Sequence, residues 1–160
     1  MENTTRKNTV SELIELINKG NAHVTFEKAV DRLPKSLRTS IPFDLPYSIW
    51  QLVEHIRITQ KDIVDFCINN NYKELNWPAD YWGDNPNEID DDTWNNALEE
   101  IKAEREKFFE LLKDESNDLF KPFEWGNGQT LFREAVLIAD HNAYHTAEIV
   151  VIRRLLKAWK

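Results

Sequence analysis

Two histidines one helical turn apart, His141 and His145, are the residues whose type and spacing best suit chemistry. On a helical projection His145 lies about 40° from His141. Both lie in the middle of an apolar stripe, which comprises Leu131, Leu137, Ile138, Ile149, Ile152, Leu155, Leu156 and Trp159. Two imidazoles on one helix face can converge on a metal ion, and they can equally be core histidines that hydrogen-bond to neighbours. Spacing alone leaves both interpretations open.

Two glutamates, Glu134 and Glu148, project onto the same stripe, each about 20° from its centre. Ionisable side chains that face a core are costly unless they are paired or bound to a metal. Either carboxylate could accept a hydrogen bond from a histidine ring and fix its tautomer. Glu148 is also a candidate fourth ligand or general base. The alternative for Glu148 is a salt bridge to Arg57, Arg105 or another basic group.

A third metal ligand has to come from another helix, and the second long helical segment supplies His55. This residue projects about 100° from the centre of its apolar stripe, so it faces either solvent or a cleft between helices. Three neutral imidazoles leave coordination positions open for water or substrate, which is typical of catalytic sites. His23 is predicted to be a loop residue without a metal role. The lone cysteine, Cys67, is predicted to fill the core and not to act as a nucleophile.

Helical apolar spacing predicts the elements that position these residues, and strand-like alternation is absent. Long helices are predicted over 10–18, 48–69, 93–113 (capped by Asp92 or Thr93) and 130–159, with a short helical piece over 25–33. Ser48 and Gln51 predict a capping box at the start of the second long helix. The simplest packing of four amphipathic helices is an all-α bundle with one shared core.

A long acidic loop, 72–92, is predicted between the second and third long helices. It holds Trp77-Pro78, Tyr81-Trp82-Gly83 and a run of three aspartates at 90–92. Because loops of this length are uncommon in compact domains, the segment is interpreted as a packed lid or a partner surface. The alternative is a satellite cluster of aromatic side chains that covers one end of the core.

Composition limits the classes of protein to which the chain can belong. A length of 160 residues predicts a single domain over 1–160. The chain has 41% hydrophobic and 30% charged residues, which is typical of a globular protein. The net charge of -8 argues against nucleic acid or an anionic membrane surface as partners. The sequence has no apolar run long enough for a membrane span and no signal-peptide pattern. The chain has a single cysteine and so cannot form an internal disulfide. Together these features predict a cytoplasmic protein.

Three blocks of the sequence resemble the DinB-like family. Residues 47–56, YSIWQLVEHI, resemble the opening of that family's second helix. Residues 140–145, DHNAYH, with the apolar stretch 149–159, resemble its last helix. Residues 20–26, GNAHVTF, and the Leu33-Pro34 step are similar to one branch of the family. The pairing of an early helical histidine with a late His-x-x-x-His makes the resemblance specific.

The resemblance implies an up-down-down-up four-helix bundle that holds a divalent metal ion, zinc or nickel above all, on His55, His141 and His145. It also implies a homodimer and a small-molecule substrate. Characterised members of the family include transferases and isomerases that depend on bacillithiol, mycothiol or glutathione, and a proposed metal-dependent hydrolase. The chain departs from the family pattern at Ala147-Glu148, where many members have Gly-Gln. A carboxylate there adds negative charge near the ion and could alter the choice of metal.

Three functional hypotheses follow. The first is a metal-dependent enzyme of the thiol-transferase or hydrolase type, in which a low-molecular-weight thiol would bind the metal and Cys67 would play no part. The second is a non-catalytic binding or stress-response module stabilised by the metal, which a closed site with Glu148 as fourth ligand would favour. The third is a metal-free scaffold with buried, hydrogen-bonded histidines.

Overall fold

The computed structural model describes residues 3–159 as an all-α protein, which confirms the predicted fold class. The α-helices are α1 (Asn3–Lys19), α2 (Phe26–Val30), α3 (Ile49–Ile68), α4 (Asp91–Lys113) and α5 (Leu131–Leu155). Short 3-10 turns occur at Lys35–Leu37, Pro42–Asp44 and Ala79–Tyr81. Within residues 3–159, β pairing is confined to an isolated bridge between Pro122 and Thr130.

Side-chain caps determine where the two site-bearing helices begin. The Ser48 hydroxyl accepts a hydrogen bond from the Gln51 N–H at 3.2 Å, and the Gln51 side chain accepts one from the Ser48 N–H at 3.2 Å. The predicted capping box is therefore present at the start of α3. Thr130 caps α5 by accepting the Arg133 N–H at 3.1 Å. Both helices consequently begin where the sequence predicted.

Other helix ends differ from the predicted ones. The cap of α4 is Asp90, which accepts the Thr93 N–H at 2.7 Å, so this helix begins earlier than predicted. The first helix extends back to Asn3, through polar turns that lack the apolar spacing used for the prediction. The short α2 ends before the predicted residue 33. The last helix ends at Leu155 and not at residue 159, because Lys157 adopts a left-handed φ of 57° that an α-helix cannot continue through.

The apolar helix faces form two buried clusters. The first draws on α2, the N-terminal halves of α3 and α4, and the C-terminal half of α5. The second draws on α1 and the opposite halves of α3, α4 and α5. Between them α3 packs against both α4 and α5, and α1 and α2 pack against α5. Each fully buried Leu, Ile or Phe contributes about 1.5–3 kcal/mol to this packing.

Most residues of the predicted apolar stripes are buried. The predicted stripe of α3 is buried throughout, from Ile49 to Cys67. Leu155, predicted on the buried stripe of α5, is instead 40% exposed and is the last residue of the helix. Across residues 3–159, no helix combines the length and the apolarity needed to cross a membrane.

Candidate metal centre

The packing of α3 against α5 brings the three predicted metal ligands together. One potential ligand atom from each of His55, His141 and His145 lies within 4.8 Å of the other two. The Nε2 atoms of His55 and His141 are 3.1 Å apart, and the ring centroids of the three imidazoles are separated by 4.5 to 4.9 Å. His55 and His145 are buried and His141 is half-buried. The flank position of His55 therefore faces the cleft between the helices and not solvent.

Short hydrogen bonds through Nδ1 orient two of the three rings, whereas Nδ1 of His141 lies 3.5 Å from Oδ1 of Asn142. The Nδ1 atom of His55 lies 2.8 Å from the carbonyl oxygen of Tyr81, and that of His145 lies 2.7 Å from Oε2 of Glu148. Because a carbonyl and a carboxylate only accept, both Nδ1 atoms carry the proton and donate it. Each Nε2 atom then presents a lone pair, which is the arrangement typical of metal-binding histidines.

The donor set fits a divalent metal ion. The Nε2 lone pair of His55 faces Nε2 of His141 at 3.1 Å, a contact that requires a proton or a cation between the two nitrogens. Burial lowers the pKa of His55, and burial with the neighbouring imidazoles lowers the pKa of His141 to about 4. Both rings are therefore neutral at pH 7, the form that coordinates a metal. Imidazole nitrogen suits zinc, nickel and other first-row transition metals.

Two aromatic residues complete the surroundings of the histidines. The Trp82 ring lies parallel to His55, with centroids 4.1 Å apart and an interplanar angle of 1°. The Tyr47 ring lies parallel to Trp82 at 5.5 Å. The Tyr47 hydroxyl donates a hydrogen bond to Oε1 of Glu148, whose other oxygen holds His145. Contacts from Tyr47, Trp82 and Glu148 therefore surround the imidazoles and connect α3, the loop before α4 and α5.

Trp82 is positioned by the attachment of its loop to the start of α3. The Gln51 amide donates to the carbonyl oxygen of Gly83 at 3.2 Å, and the Ser48 hydroxyl donates to Oδ1 of Asn85 at 2.7 Å. Gly83 approaches α3 so closely that a Cβ atom there would lie 3.2 Å from Cβ of Glu54. The residues that cap α3 thus also hold Trp82 on His55. The aromatic content of the loop was the available sequence signal, but it did not single out Trp82 or predict Tyr47.

Glu148 lies at the edge of the histidine cluster, against His145 and Tyr47. Its carboxylate oxygens bond to Tyr47 and to Nδ1 of His145, so it orients a histidine ring. A salt bridge from Glu148 to Arg57 or Arg105 is not formed, because both arginines are paired with other glutamates.

The remaining candidates lie away from the three histidines. Glu134 bonds to Arg133 at 2.7 Å and not to a histidine ring, because seven residues place it about two turns, or 10 Å, along α5 from His141. His23 donates from Nδ1 to the carbonyl oxygen of Val24 at 2.8 Å in the loop after α1. Cys67 is buried in the core, and burial raises the pKa of its thiol.

Comparison with known proteins places the chain in a family. No curated protein and no solved structure matched it. The sequence model described as the DinB superfamily matches residues 21–149. The matched segment contains the three histidines and the residues that surround them, Tyr47, Trp82 and Glu148. Because the match covers well over half of the chain, this protein belongs to the DinB superfamily.

Proposed function

We propose that this protein binds a divalent transition metal, zinc or nickel, at His55, His141 and His145. We propose further that it uses the metal as an enzyme of the thiol-transferase or hydrolase type on a small molecule. The observation that carries the proposal is the convergence of three imidazoles, in two of which Nδ1 donates to an acceptor and Nε2 presents its lone pair. Membership of the DinB superfamily is compatible with it.

The surrounding residues support specific roles around that site. A bound ion would act as a Lewis acid that lowers the pKa of water or a thiol and polarises an electrophile. Glu148 holds the Nδ1 proton of His145, and because both its oxygens are occupied we assign it as a positioning residue in place of a general base. Tyr47 stays protonated as the donor to Glu148, because burial and the carboxylate raise the pKa of its hydroxyl. Trp82 excludes water from one face of His55.

The non-catalytic alternative has less support. A closed structural site would use Glu148 as a fourth ligand, whereas its oxygens face Tyr47 and the Nδ1 side of His145. The Nδ1 side of an imidazole points away from a metal bound at Nε2. The arrangement therefore favours a site with coordination positions open to water, substrate or a low-molecular-weight thiol.

We also propose the up-down-down-up four-helix bundle for α1, α3, α4 and α5. The N-terminal halves of α3 and α4 share one core cluster with the C-terminal half of α5, and the other halves share the second cluster. This supports α3 and α4 running in the same direction and α5 in the opposite one. The homodimer, the single domain over 1–160 and the cytoplasmic location stay predictions.

Elemental analysis of the purified, tag-free protein tests the metal proposal. We expect about one zinc or nickel ion per chain, and loss of that metal in the His145→Ala variant, because two imidazoles hold such an ion much more weakly than three. The His23→Ala variant is the matched control, since this histidine lies outside the cluster, and should keep the metal. Absence of metal from the wild type, even after incubation with zinc and nickel, would overturn the proposal.

The Glu148→Ala variant should bind zinc about 10 to 100 times more weakly than the wild type, because His145 loses the partner that fixes its ring. The Glu148→Gln variant should recover most of this loss, since an amide oxygen also accepts the Nδ1 proton. Competition titration with a chelating indicator dye measures the affinities. Glu99→Ala, an exposed glutamate on α4, is the control. Equal affinities of the Glu148→Ala and Glu99→Ala variants would contradict the role of Glu148.

A further inference from the structure

The ring of His55 is held by a loop, whereas the ring of His145 is held within its own helix. Glu148, which accepts the Nδ1 proton of His145, lies three residues further along α5. The acceptor for Nδ1 of His55 is the backbone carbonyl of Tyr81, in the loop between α3 and α4. A carbonyl in a loop orients an imidazole well only where the loop is itself fixed on the helix that carries the ring. The attachment of Tyr81 therefore determines how well His55 is oriented.

Asp62 on α3 supplies this attachment. The hydroxyl of Tyr81 donates to Oδ2 of Asp62, and the hydroxyl of Tyr72 donates to Oδ1, each at 2.8 Å. Because a carboxylate only accepts, both hydroxyls are the donors, and both oxygens of Asp62 are occupied by the loop. Hydrogen bonds to a carboxylate are about twice as strong as those between neutral groups. Asp62 thus holds the loop near its start and again at the residue that bonds His55.

Few other hydrogen bonds hold this part of the loop. Within residues 3–159, three hydrogen bonds join segment 72–82 to a helix, and all three end on α3. Two of them end on Asp62, and the third is the bond between His55 and Tyr81. Other hydrogen bonds of the segment are local, such as those between Asn76 and Asp80. Without the Asp62 carboxylate, the bond to His55 would be the only hydrogen bond of the three left to hold the segment.

Tyr81 lies along two turns of α3 with both of its ends bonded. Asp62 lies seven residues after His55, so the two share a face of α3 and are about 10 Å apart along its axis. The carbonyl of Tyr81 reaches His55 and the hydroxyl reaches Asp62. Trp82 follows directly and stacks on His55 with centroids 4.1 Å apart. At this distance Asp62 does not touch an ion held by the imidazoles, so its effect on the site passes through Tyr81.

The two sides of Trp82 are attached to α3 independently. On the C-terminal side, the residues that cap α3 bond to Gly83 and Asn85. On the N-terminal side, the hydroxyl of Tyr81 bonds to Asp62. Loss of the Asp62 carboxylate therefore frees the acceptor of His55 while the other end of the loop stays on α3.

We propose that Asp62 is a positioning residue of the metal centre. By fixing Tyr81, it keeps the carbonyl oxygen in place to accept the Nδ1 proton of His55, so that Nε2 presents its lone pair. The inference rests on the proposed metal function, since that lone pair is what a metal ion would use. The alternative is that Asp62 only fastens the loop to α3. The two differ at the imidazole, because only a positioning role changes which nitrogen of His55 carries the proton.

Long-range proton–nitrogen NMR of the full-length, metal-free protein with isotopically labelled histidine distinguishes the two at pH 7. We expect the wild-type His55 to be the tautomer protonated at Nδ1. The Tyr81→Phe variant keeps the ring and the backbone carbonyl and loses only the bond to Asp62, so we expect a mixture of both neutral tautomers. Asp62→Ala should give the same mixture. Asp65→Ala, which removes a carboxylate of α3 that pairs with Lys61, is the matched control and should keep the wild-type tautomer.

Zinc affinity, measured by competition with a chelating indicator dye, gives a second readout. Tyr81→Phe and Asp62→Ala should each bind zinc about tenfold more weakly, because a metal-binding histidine whose partner is lost costs about 10 to 100 times in affinity. The double variant should bind no more weakly than Asp62→Ala, since the two changes remove the same hydrogen bond. Asp65→Ala should bind as the wild type does.

An unchanged tautomer of His55, or a zinc affinity equal to that of Asp65→Ala, in folded Tyr81→Phe protein would overturn the proposal. Additive losses in the double variant would overturn it as well. Tyr81→Phe decides the matter if circular dichroism shows that Asp62→Ala is unfolded. Wild-type protein that binds no zinc would overturn the metal function, and the tautomer measurement on metal-free protein would still test whether Asp62 orients His55.

Discussion

Zinc at a thousandfold excess over its dissociation constant should raise the melting temperature of the metal-free protein by about 10 °C, and the His145→Ala variant should show no such rise. A ligand that binds only the folded state at this excess stabilises it by about 4 kcal/mol. Each kcal/mol shifts the melting temperature of a domain of this size by roughly 2–4 °C. The effect is large because His55 and the pair on α5 come together only when α3 and α5 pack.

Differential scanning calorimetry with zinc, nickel and magnesium measures this effect. Magnesium prefers oxygen ligands and should leave the melting temperature unchanged. The His55→Ala and His141→Ala variants should behave as His145→Ala does, whereas His23→Ala should respond as the wild type. A rise of the same size in the wild type and in all three cluster variants would mean that zinc stabilises the protein from another site.

The free energy of unfolding of the metal-free protein should fall as the pH decreases from about 6.5 towards 4. Burial lowers the pKa of His141 to about 4 in the folded state, from an ordinary value of 6.5. Over this window the unfolded chain takes up a proton at His141 that the folded protein does not. Each pH unit then favours the unfolded state by up to tenfold, or about 300-fold across the window. The stability is fully present above pH 6.5, and the lowered pKa of His55 acts in the same direction.

Urea denaturation at pH 7, 6 and 5 measures this dependence. The His141→Gln variant is the comparison, because glutamine keeps a polar side chain at this position and does not titrate. Carboxylates affect both proteins alike, so the difference between the two pH profiles isolates His141. Parallel profiles would show that His141 protonates equally well in the folded and unfolded chains, and the neutral cluster would then be wrong.

Local geometry explains which features the sequence determined by itself. The capping box at Ser48 and the cap at Thr130 involve residues at most three positions apart, so their geometry needs no tertiary contact. The pairing of His141 with His145 on one face likewise follows from the helix repeat alone. The apolar stripe of α3 identified buried residues because its period matches the helix.

Only the tertiary structure decided the composition of the site. His55 projects at the edge of the apolar stripe of α3, so the helix repeat does not decide which way it faces. The packing of α3 against α5 decides it, by bringing His55 against His141, 86 residues along the chain. Trp82 and Tyr47 come from segments without a repeat, and the Tyr47–Glu148 contact spans 101 residues. Glu134 lies on the same face of α5 as the histidines but about two turns away along the helix, so it pairs with Arg133 and not with a histidine. A helical repeat specifies which residues share a face, whereas chain-distant packing specifies which of them meet.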